Sequence, residues 1–248
     1  MKRIKLTVAY DGTNYHGSQI QNNGETIEGV LRRELENLLK EEICLIGASR
    51  TDAGVHARGN VYVFDTNSRI PPEKFSYALN ARLPEDIRIQ ESCQVPPQFH
   101  PRHQDTIKTY EYRILNRKFP LPEHRLYAHF SYDTLDLEKM QEACAYFIGE
   151  HDFASFCAAG SQVESTVRTI YDLKVEKAGE IVTVSVTGNG FLYNMVRILV
   201  GTLLKVGKGE IEPKEIPAII EGKDRSLAGP TAPARGLTLA KIRYPNFP

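Results

Sequence analysis

The segment SRTDAGVHA at residues 49–57 combines the residue types that a catalytic loop needs. Arg50 and Asp52 are two positions apart, so in an extended chain their side chains would project to the same side. Ala53 and Gly54 follow, and such small residues leave open space beside the carboxylate for a bulky substrate. The alternative is a surface turn with an incidental ion pair, because loops use Asp and Gly for turn formation anyway.

Arg197 lies in the middle of the largely apolar segment FLYNMVRILVGTLLKV at residues 191–206. A guanidinium keeps its charge when it is buried, so it needs a carboxylate or phosphate partner. Asp52 is a candidate for that partner, in which case Arg197 would keep the carboxylate ionised and oriented. The alternative is an arginine that extends from the edge of the helix to water.

Tyr110 and Tyr112 lie with Lys108 on one face of a predicted strand, in the segment KTYEYRI at residues 108–114. Aromatic side chains beside basic ones are typical of surfaces that stack a nucleobase and hold its phosphates, where each stack contributes about 1–3 kcal/mol. The alternative is a tyrosine face that belongs to the core of a sheet.

Other reactive residue types form no recognisable site. His100, His103 and Asp105 could suggest a metal centre, but loop histidines without a further cluster of ligands usually lie on the surface. The sequence has no phosphate-loop, dinucleotide-binding or serine-hydrolase motif. The cysteines form no CxxC pair, which disfavours a zinc site or a disulfide framework and predicts reduced thiols. They are Cys44, Cys93, Cys144 and Cys157.

The composition is that of an ordinary globular protein with one large domain or two small ones. The chain has 248 residues, of which 41% are hydrophobic and 25% are charged. No apolar run is long enough for a membrane helix, and the basic start MKRIKLTVAYDGT lacks a signal-peptide cleavage pattern. We therefore expect a cytoplasmic protein.

The net charge is zero, with 31 basic and 31 acidic residues, but the charges are segregated along the chain. Residues 25–42 and 121–150 are acidic. Three segments carry net positive charge, namely residues 97–118, 188–208 and 223–248. If these three segments converge in space, the protein could bind a polyanion such as a nucleic acid.

The elements that must position these residues follow a β-α-β-β-α-β pattern in the first half. Residues 3–9 alternate as a half-buried strand, and apolar residues at helical spacing after Thr26 predict an amphipathic helix. The other predicted elements of this half are strands at 43–49, 60–66 and 86–94 and a helix at 73–82. Three prolines in VPPQFHPRHQD at residues 95–105 predict a linker.

The second half repeats the mixture of strands and helices. Its predicted elements are a strand at 107–115, a helix at 136–148, a hairpin of strands 169–176 and 181–188, a helix at 191–206 and a strand at 236–243. We therefore predict an α+β fold of two domains, residues 1–105 with the Asp52 loop and residues 106–248.

The motifs of the chain resemble those of the TruA family of tRNA pseudouridine synthases over nearly its whole length. In order, they are VAYDGTNYHGSQ, GASRTDAGVHA, ALNARLPEDI, FHPRH, KTYEYRI, GEHDFASFC, GNGFLYNMVRILVGTLLKVG and GPTAPARGLTL. RTDAGVHA and FLYNMVRILVGT are too long for chance agreement. The resemblance implies two similar α+β halves, with mainly antiparallel sheets, that flank a central basic cleft.

The resemblance also implies a role for each candidate site residue. Asp52 would be the essential catalytic carboxylate, and Arg197 its basic partner. Arg50 would enter the helical stack of the RNA and hold the target uridine flipped out. Tyr110 would pack against the target base, and Leu237 would form part of the apolar wall.

The activity implied by the resemblance is the isomerisation of uridine to pseudouridine at positions 38, 39 and 40 of the tRNA anticodon stem-loop. Family members are homodimers, and the resemblance implies no cofactor and no metal. The reaction moves the ribose link from the base nitrogen to base carbon 5 without redox change. Asp52 could act as a nucleophile or as a base, and the sequence does not choose between these routes.

Two residues depart from the family pattern. Ser18 stands where an aromatic residue is common, which bears on the range of uridines modified, and Ser49 replaces a common glycine. Three alternatives remain: a tRNA-binding or tRNA-folding protein without turnover, a pseudouridine synthase with another RNA target, and a metal-dependent hydrolase. The hydrolase would use Asp52, His56 and the group from His100 to Asp105.

Overall fold

The computed structural model describes residues 1–22, 24–160 and 163–247. The chain divides into two compact units. One unit comprises Met1–Thr106 with Thr238–Pro248, and the other comprises Ile107–Leu237. The predicted boundary near residue 105 assigned the final strand to the second half, whereas in the structure that strand groups with the first unit. Within the described ranges, no helix is both long and apolar enough to cross a membrane.

The first unit is built on an antiparallel arrangement of strands with two helices. Its elements in chain order are β1 (Lys2–Tyr10), α1 (Ile27–Leu39), β2 (Ile46–Gly47), β3 (His56–Thr66), α2 (Phe75–Asn80) and β4 (Ile87–Val95). Strand β1 lies between β3 and β4 and is antiparallel to both, and β2 is antiparallel to β3. Strand β3 begins at His56, directly after the segment that carries Asp52.

The sequence pattern of β1 and α1 explains how they pack. Ile4, Leu6 and Val8 alternate along β1 and are completely buried. Helix α1 begins after Thr26, whose side chain accepts a hydrogen bond from the Gly29 N–H, a capping contact of the kind that contributes about 1 kcal/mol. The prediction of a helix capped by Thr26 is confirmed.

The second unit contains the remaining helices and most of the remaining strands. Its elements are β5 (Ile107–Asn116), β6 (His129–Ser131), α3 (Leu137–Ala145), β7 (Gly149–Asp152), β8 (Val167–Ala178), β9 (Ile181–Gly188), α4 (Met195–Gly207) and α5 (Ile216–Glu221). The antiparallel order is β5-β9-β8-β7, with β6 parallel to β5. The last strand, β10 (Leu237–Arg243), pairs in parallel with β3.

Both units also contain short 3₁₀ helices between their main elements. They are Pro72–Lys74, Pro122–His124, Ala154–Phe156, Pro213–Glu215, Arg225–Leu227 and Ala234–Gly236.

Both units combine helices with mostly antiparallel strands, so the prediction of an α+β fold is confirmed. The predicted hairpin is also present. Its second strand has the predicted bounds, and its first strand extends two residues further at each end, up to the turn at Gly179, whose φ of 60° suits glycine.

The prediction that residues 95–105 form a linker is wrong. Phe99 is completely buried in the first unit, with its ring centroid 5.0 Å from that of Tyr244 and 5.1 Å from that of Phe247. The Tyr244 hydroxyl donates a hydrogen bond to the Pro101 carbonyl at 3.1 Å. The packing of Phe99 makes this segment part of the core of the first unit.

Helix α4 is buried on almost every side, as its apolar sequence predicts. It starts at Met195, however, four residues later than the prediction. Asn194 precedes it with a φ of 59°, in the left-handed region that a helix does not continue through. Arg197 therefore lies in the first turn of the helix rather than in its middle.

Candidate active site

The candidate catalytic residues of the first unit lie on the loop between β2 and β3. Residues 48–55 are not strand, yet their burial alternates: Ser49 and Thr51 are buried, Arg50 is exposed and Asp52 is half-buried. The chain then turns, with the Val55 N–H donating to the Asp52 carbonyl at 3.1 Å. Arg50 and Asp52 thus remain accessible while the residues beside them are fixed in the interior.

A network of buried hydrogen bonds joins this loop to strands β1 and β3. Asn60 on β3 is completely buried, and its amide nitrogen donates to the Tyr10 hydroxyl at 3.1 Å and to the Ser49 carbonyl at 2.9 Å. Its amide oxygen accepts from the Val61 N–H at 2.9 Å. The Tyr10 hydroxyl in turn lies 2.8 Å from the Thr51 hydroxyl. The network ends at the residue directly before Asp52.

Residues 17 and 18 hold the same loop from a second side. The Ser18 hydroxyl accepts a hydrogen bond from the Thr51 N–H at 2.8 Å, and the Ser18 N–H donates to the Thr51 carbonyl at 3.0 Å. Gly17 has a φ of 90°, and a Cβ there would lie 2.9 Å from the Thr51 carbonyl oxygen. Ser18 is 2% exposed, so this departure from the family pattern lies beneath the loop and not on its surface.

His56 makes polar contacts with the loop that follows β1. Its Nδ1 accepts a hydrogen bond from the Gly12 N–H at 3.1 Å and lies 3.1 Å from an Asp11 carboxylate oxygen. A Cβ on Gly12 would lie only 2.0 Å from the Val55 carbonyl oxygen, so the two loops touch backbone to backbone. This side of His56 therefore secures the loop that follows β1.

No metal centre is formed by the described part of the chain. It contains no group of three or more His, Cys, Asp or Glu side chains that could hold a metal ion. The rings of His100 and His103 pack edge to face, with their centroids 4.0 Å apart. Burial, the neighbouring His103 and nearby arginines lower the pKa of His100. The arrangement gives no support to the metal-dependent hydrolase.

The tyrosines of β5 in the second unit have separate surroundings. Tyr112 is completely buried, its hydroxyl donates to the Pro233 carbonyl at 2.8 Å, and burial raises its pKa. Tyr110 is 6% exposed, and its ring meets Phe191 edge to face, with centroids 5.2 Å apart. Tyr112 is thus a core residue, whereas Tyr110 keeps a small accessible surface beside an aromatic neighbour.

Arg197 is half-buried and tied to the loop that leads into β10. Its Nε donates to the Ala232 carbonyl at 2.7 Å, and its Nη1 donates to the Asn194 side-chain oxygen at 2.7 Å. The Ala232 N–H donates back to the Arg197 carbonyl at 3.1 Å. Leu237 ends this loop and is 5% exposed. The guanidinium is therefore oriented by the protein and does not simply extend from a helix edge.

The structure places Arg50 and Asp52 on one loop of the first unit, and Tyr110, Arg197 and Leu237 in the second unit. The supporting role of several other residues was not predicted from the sequence, namely that of Tyr10, Ser18, Thr51, Asn60 and Asn194. Their hydrogen bonds join positions up to 50 residues apart, and a single sequence gives no signal for such pairs.

Comparisons with known proteins agree with one another. A family model described as tRNA pseudouridine synthase matches residues 6–104 and 143–245. The tRNA pseudouridine synthase A of Acetivibrio thermocellus is 51% identical over 246 residues, which cover 98% of this chain and 100% of that protein. The proteins of the same name from Thermoanaerobacter pseudethanolicus and Caldicellulosiruptor saccharolyticus are 50% and 47% identical, with the same coverage.

Proposed function

We propose that the chain, which belongs to the tRNA pseudouridine synthase family, isomerises uridine to pseudouridine in tRNA. The family membership predicted from the motifs is confirmed. The observation that carries the proposal is the accessible carboxylate of Asp52, on a loop whose neighbouring residues are fixed by buried hydrogen bonds. We propose uridines 38, 39 and 40 of the anticodon stem-loop as the targets.

The reaction balances without any external reactant. The bond between ribose carbon 1 and base nitrogen 1 breaks, the base rotates, and ribose carbon 1 bonds to base carbon 5. Carbon 5 loses its proton and nitrogen 1 gains one, so no electrons are exchanged with a cofactor. An ionised Asp52 could attack as a nucleophile or remove a proton from the sugar.

The other site residues would bind and orient the flipped uridine. Flipping a base costs a few kcal/mol and is easiest where pairing is weak, as at the junction of a stem and a loop. The exposed Arg50 would fill the vacated place in the stack, and Tyr110 would pack on the detached base. Leu237 would close the apolar wall, which keeps the base from escaping.

We propose that Arg197 is the basic partner of Asp52. Its hydrogen bonds to Asn194 and Ala232 orient the guanidinium, and such preorganisation favours a charge-assisted contact with a carboxylate. We also propose that the protein is a homodimer. We propose that it uses neither a cofactor nor a metal, because the isomerisation needs none. A tRNA substrate supports a cytoplasmic location.

Release of tritium from tRNA labelled at uridine carbon 5 tests the proposal directly. We expect release by the wild-type protein in EDTA and none by Asp52→Asn, while both bind tRNA. Asp105→Asn is a matched control, because Asp105 is an exposed carboxylate of the same unit that faces Asn246. It should release tritium at the wild-type rate.

Two outcomes would overturn the proposal. Binding of tRNA without release by the wild-type protein would favour a binding protein or a different RNA target. Release by Asp52→Asn at the wild-type rate would remove Asp52 from the chemistry. Transcripts with uridine at only one of positions 38, 39 and 40 would then show which positions are modified.

A further inference from the structure

We infer that Tyr10, Thr51 and Asn60, together with Ser18, are positioning residues that fix Arg50 and Asp52 for the reaction. The inference rests on the proposed function. All four are buried, with exposed fractions of 4%, 7%, 0% and 2%, respectively, and their side chains are joined to one another or to the loop by hydrogen bonds. They act through the backbone of the catalytic loop.

Both ends of the Asn60 side-chain amide are hydrogen-bonded, which fixes its orientation. Its two amide hydrogens go to the Tyr10 hydroxyl and the Ser49 carbonyl, and its oxygen accepts from the Val61 N–H. The Tyr10 hydroxyl, which accepts from Asn60, also shares a hydrogen bond with the Thr51 hydroxyl, 2.8 Å away. The network therefore runs from Asn60 through Tyr10 to Thr51.

Thr51 is held at every polar group. Its N–H donates to the Ser18 hydroxyl, its carbonyl accepts from the Ser18 N–H, and its hydroxyl meets Tyr10. The residue between Arg50 and Asp52 therefore cannot shift without breaking buried hydrogen bonds. Buried bonds of this kind are costly to leave unmade, which makes the network a fixed support.

A register shift in the sheet lies beside Tyr10. Strands β1 and β3 pair regularly up to Val8 opposite Asn60, and then the register shifts so that Tyr10 lies opposite Ala57. Such bulges re-aim side chains and are common beside active sites. The regular pairing that precedes the bulge holds β1 on β3 by itself, so the Tyr10 hydroxyl is not needed for that pairing.

Removal of one member of the network should lower the rate of the chemical step. In Tyr10→Phe, one hydrogen of the Asn60 amide and the Thr51 hydroxyl lose their common partner, and the loop gains freedom. A misplacement of about 1 Å at a catalytic group can cost roughly a hundredfold in rate. We expect Tyr10→Phe and Thr51→Val each to lower the single-turnover rate by about tenfold or more.

A double-mutant cycle with two controls separates positioning from general stability. The double variant Tyr10→Phe/Thr51→Val should be little worse than either single variant, because both remove the same hydrogen bond. Thr51→Ser keeps the hydroxyl and should keep the rate. Tyr244→Phe removes another buried tyrosine hydroxyl bond of the first unit, to Pro101, and should also keep the rate.

The measurements are tritium release in single turnover at saturating tRNA, tRNA affinity by filter binding, Tm, and hydrogen exchange of peptides that cover residues 49–53. We expect a lower rate, a similar tRNA affinity, a similar Tm and faster hydrogen exchange in Tyr10→Phe than in Tyr244→Phe.

Three results would overturn the inference: an unchanged rate in Tyr10→Phe, additive losses of rate in the double variant, or losses of rate that are proportional to the decrease in Tm. If the wild-type protein released no tritium, the proposed function would fail, and unchanged exchange in Tyr10→Phe would separately refute the support of the loop.

Discussion

A Cβ on Gly201 would lie 1.8 Å from the carbonyl oxygen of Pro230, so helix α4 and the loop before β10 meet backbone to backbone. Gly229 faces the same contact, and its N–H donates to the Thr202 hydroxyl at 2.8 Å. This close approach brings Ala232 within hydrogen-bond distance of Arg197. The glycines of two separate motifs therefore set the position of the proposed partner of Asp52.

Gly201→Ala should destabilise the protein, because a methyl group cannot fit unless the helix and the loop move apart. Overpacking of a rigid interior typically costs 1–3 kcal/mol, and we expect a loss of about 3 kcal/mol in the free energy of unfolding. Urea titration measures it. Gly190→Ala is the control, since the nearest atom to a Cβ there is 3.6 Å away. Equal stability of the two variants would contradict the tight contact.

Arg197→Met should reduce turnover far more than tRNA binding. The guanidinium is oriented by Asn194 and Ala232, and removal of a preorganised charge at a reacting group typically costs 100-fold to 1,000-fold. We expect a drop of about a hundredfold in the single-turnover rate with a small change in tRNA affinity. Arg197→Lys should retain part of the rate, because it keeps the charge but loses the planar fork. Equal losses in rate and affinity would instead indicate phosphate binding.

Local patterns predicted the elements of the fold well. Alternation identified β1, and the Thr26 cap with apolar residues at helical spacing identified α1. The failures have physical causes that a pattern does not contain. Three prolines indicated a linker, but the packing of Phe99 on Tyr244 made that segment part of the core.

The candidate site was predictable as a set of residue types but not as an arrangement. The motif around Asp52 indicated a reactive loop, and the charge in an apolar helix indicated Arg197. The support of that loop depends on contacts between β1, β3 and residue 18, which only folding brings together. Ser18 illustrates the difference, since its hydroxyl bonds to the Thr51 N–H where the sequence suggested only a lost aromatic surface.

The affinity for tRNA should fall steeply with salt, although the net charge of the protein is zero. Cations that neutralise phosphates release counterions, so the logarithm of the affinity falls linearly with the logarithm of the salt concentration. Lys108→Ala should lower the slope by about one, because Lys108 shares a strand face with Tyr110. Arg125→Ala, an exposed cation of the acidic segment 121–150, should leave the slope unchanged. A flat salt response of the wild-type protein would contradict an electrostatic tRNA site.

His129 on β6 should make the protein less stable in mild acid. Burial lowers its pKa, and Arg235 and Lys208 act in the same direction while Asp133 opposes them. The folded form therefore binds a proton less readily than the unfolded chain, whose histidines titrate near 6.5. As the pH falls below that value, the unfolded chain takes up the proton first, and the free energy of unfolding decreases. Above it, the contribution is fully present.

His129→Gln tests this assignment, because glutamine has no charge to gain. Urea titrations at pH 7.5 and pH 5 should show a smaller loss of stability in the variant than in the wild-type protein. Part of the loss should remain, since the pKa of His100 is lowered as well and contributes with the same sign. His100→Gln should remove that part, and the double variant should show the smallest loss. Identical losses in the wild type and His129→Gln would show that His129 is not responsible for the acid sensitivity.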